Sequence, residues 1–381
     1  MDELAAIRER IDQIDTEICA LFAERMAHTN AAARLKQECG LPLVDRARER
    51  AKLAGVAAQV PEELGDYAQV LFDLLISISR AQQTLDLAGN SELEGQILQA
   101  RAHTPELFPR QAFVACQGVE GANSQIAADR LFRHATISYC ASFEDVFSAV
   151  EEGGCQYGVL PVENSTAGTV NQVYDLMRKH QFYIVRSLRL KVDHNLLAVP
   201  GATLEGITDV YSHPQAISQC RDYLASMPQV RVHTCENTAV AAKFVAKGAD
   251  PHIAALSSRS CAALYGLDAL ARNVQDSDAN YTRFACISKN LEIYPGADRT
   301  SLMLVTPNEP GSLYKVLARL YALDINLVKL ESRPLPKSDF QFMFYFDLDC
   351  PVAAPEFAPV MGSLSDICEE YRYLGSYSEM I

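Results

Sequence analysis

The chain has 381 residues, too many for one ordinary core, so two or three domains are expected. It is 49% hydrophobic and 22% charged, which excludes a disordered chain, and its net charge of −14 argues against nucleic acid as the main partner. Against that acidic field, an anionic substrate would need a locally basic pocket.

The opening MDELAAIRER carries acids and no apolar h-region, so it does not read as a signal peptide. No stretch approaches the roughly 20 uninterrupted apolar residues of a membrane span. The eleven cysteines fall singly, with no C-x-x-C pair. Free thiols in a cytoplasmic protein are expected, with no membrane partner, metal or cofactor.

Residues 1–90 read as helical. Leu4, Ile7, Ile11, Ile14, Ile18 and Leu21 recur at spacings of three and four, a heptad seam. With no Gly or Pro before Gly40, one helix can run to about residue 38, on the order of 50 Å. A stripe that long cannot be buried by two short partner helices, so an intertwined dimer is expected. "GLPLVD" breaks the helix, and two more follow near 45–58 and 62–87. Residues 91–110 mix Ser, Gly, Gln, His and Pro without a period and read as linker.

From 111 to 292, β-branched strands alternate with amphipathic helices. The candidate strands are "AFVAC", "ATISYC", "YGVLPVE", "HNLLAV", "TDVYS", "VRVHT", "HIAAL" and "TRFACIS". That alternation argues for an α/β domain of two lobes with a cleft between them. The tail, 298–381, reads strand, helix, strand, strand, helix, strand, the βαββαβ order of a ferredoxin-like domain.

Three groups of residues carry chemistry. The first is helical and basic. The seam Leu4, Ile11, Ile18 continues to Arg25, where an uncompensated guanidinium would be costly unless a carboxylate or an anionic ligand met it. Lys36 follows on the same helix. Asp45 and Glu49 share a face at i,i+4 with Arg48 between them, and Ser79 and Gln83 share a face of the last helix. Singly, each is an ordinary solvated helix residue; together they suit a small dianion held through its carboxylates.

The set Arg8, Arg25, Lys36, Asp45, Arg48, Glu49, Ser79 and Gln83 resembles the active site of the all-helical chorismate mutases. The resemblance implies an intertwined dimer in which Arg8 enters the partner's pocket. It also implies a pericyclic rearrangement of chorismate to prephenate that needs placement and charge stabilisation but no nucleophile. Arg8, Arg25 and Arg48 would grip carboxylates, and Lys36 and Gln83 would donate to the ether oxygen. Glu49 would hold the ring hydroxyl, with Asp45 and Ser79 completing the pocket.

The second group begins in "GVLPVENSTAGTV", where a buried strand delivers Glu163, Asn164, Ser165 and Thr166 together. Such residues could simply cap the following helix. Two further polar knots stand at strand ends: "SHPQ", with Ser212, His213 and Gln215 and then Gln219 one turn on, and "NYTRF", with Thr282 and Arg283.

These elements, with "GVEGANSQIAA", resemble the prephenate dehydratases over the whole α/β segment. In the glycine element Val119-Glu120 and Ala122-Asn123 depart from the commoner choices, while Gly118, Gly121 and Ser124 are kept. The resemblance implies loss of the ring hydroxyl and of carbon dioxide, driven by aromatisation. Thr282 would donate to the leaving hydroxyl; Asn164, Ser212 and Gln219 would position the substrate; Arg283 would serve a carboxylate or a structural pair. Glu163 is either a general acid or a brace for its loop, Ser165 and Thr166 would join in substrate binding, and His213 reads as structural.

The third group, Gly311, Ser312 and Leu313 in "NEPGSLYKVL" and Asn326, Glu331, Ser332, Arg333 and Pro334 in "INLVKLESRP", resembles the amino-acid-sensing ACT domain. That implies L-phenylalanine as effector, bound at a subunit interface and inhibiting the dehydratase. A homo-oligomer, dimer or tetramer, follows. Two other readings stay open: the same architecture acting on arogenate, and a non-catalytic two-lobed amino-acid-binding protein.

Overall fold

The computed structural model describes residues 2–42, 45–87, 92–335, 341–354, 357, 361–362, 364 and 367–381. They fall into two units, Met1–Gln96 with Met303–Arg372 and Ile97–Leu302 with Tyr373–Ile381.

The first unit opens with α1 (Asp2–Glu38), uninterrupted as its lack of Gly and Pro predicts. Only its C-terminal third is covered: Met26 and Ala33 are buried, whereas Ile11, Ile18 and Leu21 are 51, 56 and 64% exposed. Among the described residues nothing covers the seam from Leu4 to Leu21, about five turns of the helix. Helix α2 (Arg46–Ala57) starts at Asp45, whose side chain accepts from the Arg48 N–H as an N-cap. A 3₁₀ turn over Glu62–Leu64 leads into α3 (Gly65–Leu87), which packs on both α1 and α2.

The stretch expected as linker contains a helix, α4 (Glu92–His103), which buries Ile97 and Ala100. Its apolar face is two residues wide, too narrow for a period to stand out, and Thr104 Oγ1 behind it accepts from the Ile293 N–H at 3.0 Å.

The second unit contains β1 (Gln111–Gln117), α5 (Asn123–Leu131), β2 (His134–Cys140), α6 (Phe143–Glu151), β3 (Tyr157–Asn164), β4 (Gly168–Thr169), α7 (Asn171–Lys179) and β5 (Tyr183–Lys191). It continues through β6 (Asn195–Ala198), β7 (Asp209–Ser212), α8 (Pro214–Gln219), α9 (Arg221–Ala225), β8 (Arg231–Thr234), α10 (Thr238–Gly248), β9 (Ile253–Ser257), α11 (Arg259–Tyr265), β10 (Asp268–Ala271) and β11 (Tyr281–Ser288).

All eight candidate strands are present. The sequence reading missed β5, whose YIVRSLRLK is broken up by Arg186, Arg189 and Lys191, and β10, which is only four residues long.

After β12 (Arg299–Val305), α12 (Ser312–Ala322), β13 (Asn326–Pro334), β14 (Phe342–Asp349) and β15 (Glu370–Tyr377), the short β16 (Glu379–Met380) joins the first sheet parallel to β5. The second helix expected in this segment lies largely outside the described residues.

Two sheets make the two lobes of the second unit: β16-β5-β11-β3-β1-β2, with β4 on β3, and β10-β6-β9-β7-β8. The chain leaves the first lobe between β5 and β6 and returns between β10 and β11. The two crossings are bonded to each other, with the Val192 N–H donating to Asn280 O and the Val274 N–H to His194 O, both at 2.9 Å.

Pro161 lies inside β3 and cannot donate to its neighbour. The β3–β11 register accordingly steps from Arg283 opposite Glu163 to Phe284 opposite Pro161, a bulge at Val162. That step sets Thr282 directly opposite Asn164.

A third sheet runs β13-β14-β12-β15, with β13 at its edge. Among the described residues no helix is long and apolar enough to cross a membrane, and the eleven cysteines are free thiols.

Candidate active sites

In the helical part, Arg25 and Ser79 meet. Arg25 Nη1 donates to Ser79 Oγ at 2.6 Å and to Leu75 O at 3.1 Å, and Ser79 is buried. Burial lowers the Arg25 pKa. Among the described residues no carboxylate pairs with this guanidinium, so its charge is available to an anion. Gln83 reaches back to the same helix, its Nε2 donating to Thr29 O at 2.9 Å. Lys36 lies on α1, three turns beyond Arg25.

Other members stand apart. Asp45 is used as the α2 cap, and Arg48 is exposed. Glu49 is held by Arg80, whose Nε donates to Oε1 at 3.0 Å and whose Nη2 donates to Oε2. Arg80 is a residue the sequence reading missed, and no spacing singles it out. Arg8 is 17 residues before Arg25 on one straight helix, about 25 Å along the axis, so one chain cannot bring both to one small ligand.

In the two-lobed unit, a cavity of about 360 Å³ is lined by Asn164, Gln219 and Thr282 together with His194, His213 and Phe284. Asn164 organises it. The Thr166 and Ala167 N–H groups donate to its Oδ1 at 3.1 and 2.9 Å, which fixes the amide orientation. Its Nδ2 therefore faces the acceptors Asn280 Oδ1 at 2.8 Å, Tyr281 O at 3.2 Å and Thr282 Oγ1 at 3.0 Å. Because Thr282 Oγ1 accepts there, its own proton is left to donate elsewhere. Gln219 Nε2 donates to Thr166 Oγ1 at 2.5 Å and to Asn164 Oδ1 at 3.3 Å.

The structure places four other groups of these residues away from the cavity or gives them structural partners, and the Glu163–Arg283 contact is the brace and structural-pair alternative. The turn at Glu163–Thr166 is not a helix cap: it closes the β3–β4 hairpin through Gly168 at φ +79°, and α7 begins later, after Val170, without a side-chain cap. Glu163 and Arg283, opposite each other in register beside the bulge, pair Oε2 to Nε at 3.4 Å, and neither lines the cavity. Ser212 is fully buried and its Oγ donates to Leu256 O at 2.7 Å, so it ties β7 to β9. Ser165 is likewise engaged with backbone, its Oγ donating to Ala279 O at 2.5 Å and accepting from the Tyr281 N–H.

The expected basic pocket is also not found. Among the described residues lining the cavity there is no Lys or Arg, and Glu236 is present. Positive potential comes instead from helix starts. The cavity touches Ala122, Asn123 and Ser124 at the head of α5, and Asn237 and Thr238 at the head of α10. The α5 turn needs Gly121 at φ +90°, where a Cβ would come within 2.9 Å of Cys261 Sγ. His213 accepts from the Gln215 N–H through Nδ1 and caps α8, and burial lowers its pKa.

At the tail, Gly311 at φ +83° caps α12 with no side-chain bond, and the Ser312 N–H donates to Glu309 O at 3.2 Å. Glu331, Ser332, Arg333 and Pro334 end β13, whereas Asn326 begins it, about 26 Å from Pro334. Helix α12 touches α3 through Lys315 Nζ and Asp73 Oδ2 at 3.0 Å.

Comparison with known proteins finds a family for each of the two segments that hold these residues. The chorismate mutase type II profile matches residues 7–84 and the prephenate dehydratase profile residues 114–292. The bifunctional chorismate mutase/prephenate dehydratase of Escherichia coli K12 is 32% identical over 383 aligned positions, covering 98% of this chain and 96% of that one. Arogenate dehydratase 2 of Petunia hybrida is 36% identical over 281 positions, 69% of this chain and 71% of its own length. The crystal structure of the Arthrobacter aurescens prephenate dehydratase in complex with L-Phe superposes with a TM-score of 0.64 at 27% identity, over 70% of this chain and 90% of that one.

A helical anion site followed by a polar two-lobed cleft thus defines a two-site enzyme of aromatic metabolism. The chain belongs to the bifunctional chorismate mutase/prephenate dehydratase family.

Proposed function

We propose that the chain rearranges chorismate to prephenate in its helical segment and converts prephenate to phenylpyruvate in the two-lobed cleft, on the route to L-phenylalanine. The domain limits are 1–90 for the mutase, 111–292 for the dehydratase and 298–381 for the sensor, with 91–110 joining the first two.

In the mutase, Arg25, desolvated and without a carboxylate partner, takes a substrate carboxylate. Gln83 and Lys36 donate to the breaking ether oxygen. Arg8 comes from a second copy, which covers the exposed seam of α1. Arg48 also binds substrate, and Glu49 turns from Arg80 to the ring hydroxyl. Asp45 acts through its cap on α2, and Ser79 through Arg25.

The observation that carries the dehydratase reading is the Thr282 hydroxyl, accepting from Asn164 and so free to donate into the cavity. The C–CO₂ bond supplies the electron pair that aromatises the ring. The hydroxyl departs on the opposite carbon, hydrogen-bonded by Thr282, and leaves as water with a proton from solvent. Threonine is too weak an acid to give up its own proton fully. The starts of α5 and α10 receive the substrate's anionic end.

The four-stranded sheet, α12 and the Gly311 cap support the ferredoxin-like ACT reading, with phenylalanine bound between copies and lowering dehydratase activity. A cytoplasmic homodimer or tetramer completes the reading. Glu236 on the cavity wall favours retaining arogenate as a second substrate, since its ammonium would meet that carboxylate.

The test is to supply purified protein with chorismate, then with prephenate or arogenate, with and without phenylalanine, and to follow phenylpyruvate and phenylalanine formation. Absence of product from both acids overturns the dehydratase reading.

A further inference from the structure

His194 lies on the crossing between β5 and β6, in none of the motifs that mark the cleft, yet it is 4% exposed and lines the cavity. Its backbone is clamped on both sides: its N–H donates to Gln275 Oε1 at 3.0 Å, and its carbonyl accepts from the Val274 N–H. Its Nε2 is 2.8 Å from Gln219 Oε1.

The polarity of that contact follows from the backbone. The Thr166 and Ala167 N–H groups can only donate, so Asn164 presents Oδ1 to them and Nδ2 to Asn280 and Thr282. Asn280 must then present Oδ1 to Asn164 and Nδ2 to Gln219, at 3.1 Å. Gln219 must answer with Oε1, turning its own Nε2 to Thr166 and Asn164. An acceptor on that oxygen's other side would be repelled, so His194 Nε2 carries a proton and donates. The imidazole thus closes a directed chain that starts at two peptide groups and ends at the Thr282 hydroxyl. Burial lowers the His194 pKa, in keeping with a neutral ring protonated on Nε2.

We propose that His194 is a positioning residue for the dehydration step: its Nε2–H, beside the Asn280 Nδ2–H, fastens Gln219 Oε1, so that Gln219 Nε2 stays on Asn164 Oδ1 and Thr166 Oγ1 and braces the Asn164 amide, already oriented by two peptide N–H groups, against Thr282, whose proton is aimed at the leaving hydroxyl. The role is not fold stabilisation alone, because the ring sits on the crossing between lobes and bonds Gln219 of the second lobe, which in turn bonds Asn164 and Thr166 of the first. The inference rests on the reading of the cleft as the dehydratase site.

The experiment measures dehydratase kcat and KM from prephenate for the full-length chain and its His194→Phe, His194→Gln, Thr282→Ala and His194→Phe/Thr282→Ala variants, with mutase activity assayed in parallel. His194→Phe keeps the ring volume but has no donor, and its kcat should fall about 10- to 100-fold with KM little changed. His194→Gln restores an N–H near the same place and should recover most of that loss. In the Thr282→Ala background the His194→Phe change should add less than about twofold, since the chain has lost its end.

Any of three results overturns the proposal: His194→Phe at the wild-type rate, His194→Gln as slow as His194→Phe, or the full factor persisting without Thr282. If His194→Phe does not fold, His194→Gln decides alone, because a donor-retaining variant that folds and is still severely slowed contradicts the role. A slow Thr282→Ala beside a wild-type His194→Phe sinks this inference only; Thr282→Ala at the wild-type rate sinks the dehydratase reading with it.

Discussion

Thr282 and Glu163 stand on neighbouring strands on the same side of the bulge, and their surroundings separate their roles. Thr282 keeps a donor facing the cavity, whereas Glu163 faces Arg283. Thr282→Ala should lower dehydratase kcat by about 10²- to 10³-fold, the loss typical of one preorganised donor to a developing oxyanion, and leave the mutase rate unchanged. Glu163→Gln removes one charge of a partly exposed pair, so dehydratase turnover should stay within about threefold and stability within about 1 kcal/mol.

Both cleft imidazoles have pKa values lowered from 6.5 by burial. Below that value the unfolded chain takes up protons that the folded cleft resists, so their contribution to stability is complete above 6.5 and drains away as the pH falls. Thermal melts of the wild type should drop more between about pH 7 and pH 5 than those of a His194→Gln/His213→Asn double variant; equal drops contradict the assignment.

At the scale of elements, the bulge at Val162 and the turn at Gly121 place the chemistry. Gly121→Ala adds a Cβ at φ +90° that meets Cys261 Sγ at 2.9 Å and Leu264 at 3.1 Å. It should cost on the order of 1–3 kcal/mol, seen as a lower Tm, and should raise the KM for prephenate by displacing the head of α5.

The elements themselves were largely legible. β-branched runs such as "HIAAL" and the unbroken seam of α1 carry their period on the surface of the sequence. Helix α4 and strand β5 were not: one has too few apolar positions, and the other alternates with charges that look like loop. Within the site, "ENS", Gln219 and "NYTRF" were legible as polar knots, but their division of labour was not. That Ser212 and Ser165 bond backbone carbonyls while Asn164 faces the cavity depends on pairing across β7, β9 and β11, contacts distant in the chain. The absence of basic side chains from the cavity was equally hidden, since helix starts supply potential without charged residues.

For the whole molecule, the two reactions should part on dilution. On the proposed reading a second copy covers the α1 seam and supplies Arg8, whereas the proposed dehydratase chemistry asks nothing of a second copy. Mutase specific activity should therefore fall as protein concentration drops below the dimer Kd, while dehydratase turnover measured on the same samples should stay more nearly constant. Parallel loss of both would show that the cleft also depends on assembly.

The 17 residues that separate Arg8 from Arg25 on α1 carry a genetic consequence. If each mutase pocket draws Arg25 from one chain and Arg8 from the other, two defective alleles repair each other. Arg8→Ala chains and Arg25→Ala chains, each inactive alone, would form mixed pairs holding one pocket with both arginines and one with neither. Co-expressed in equal amounts, they should return roughly one site in four to activity. A strain carrying both alleles would then grow where neither single-allele strain does.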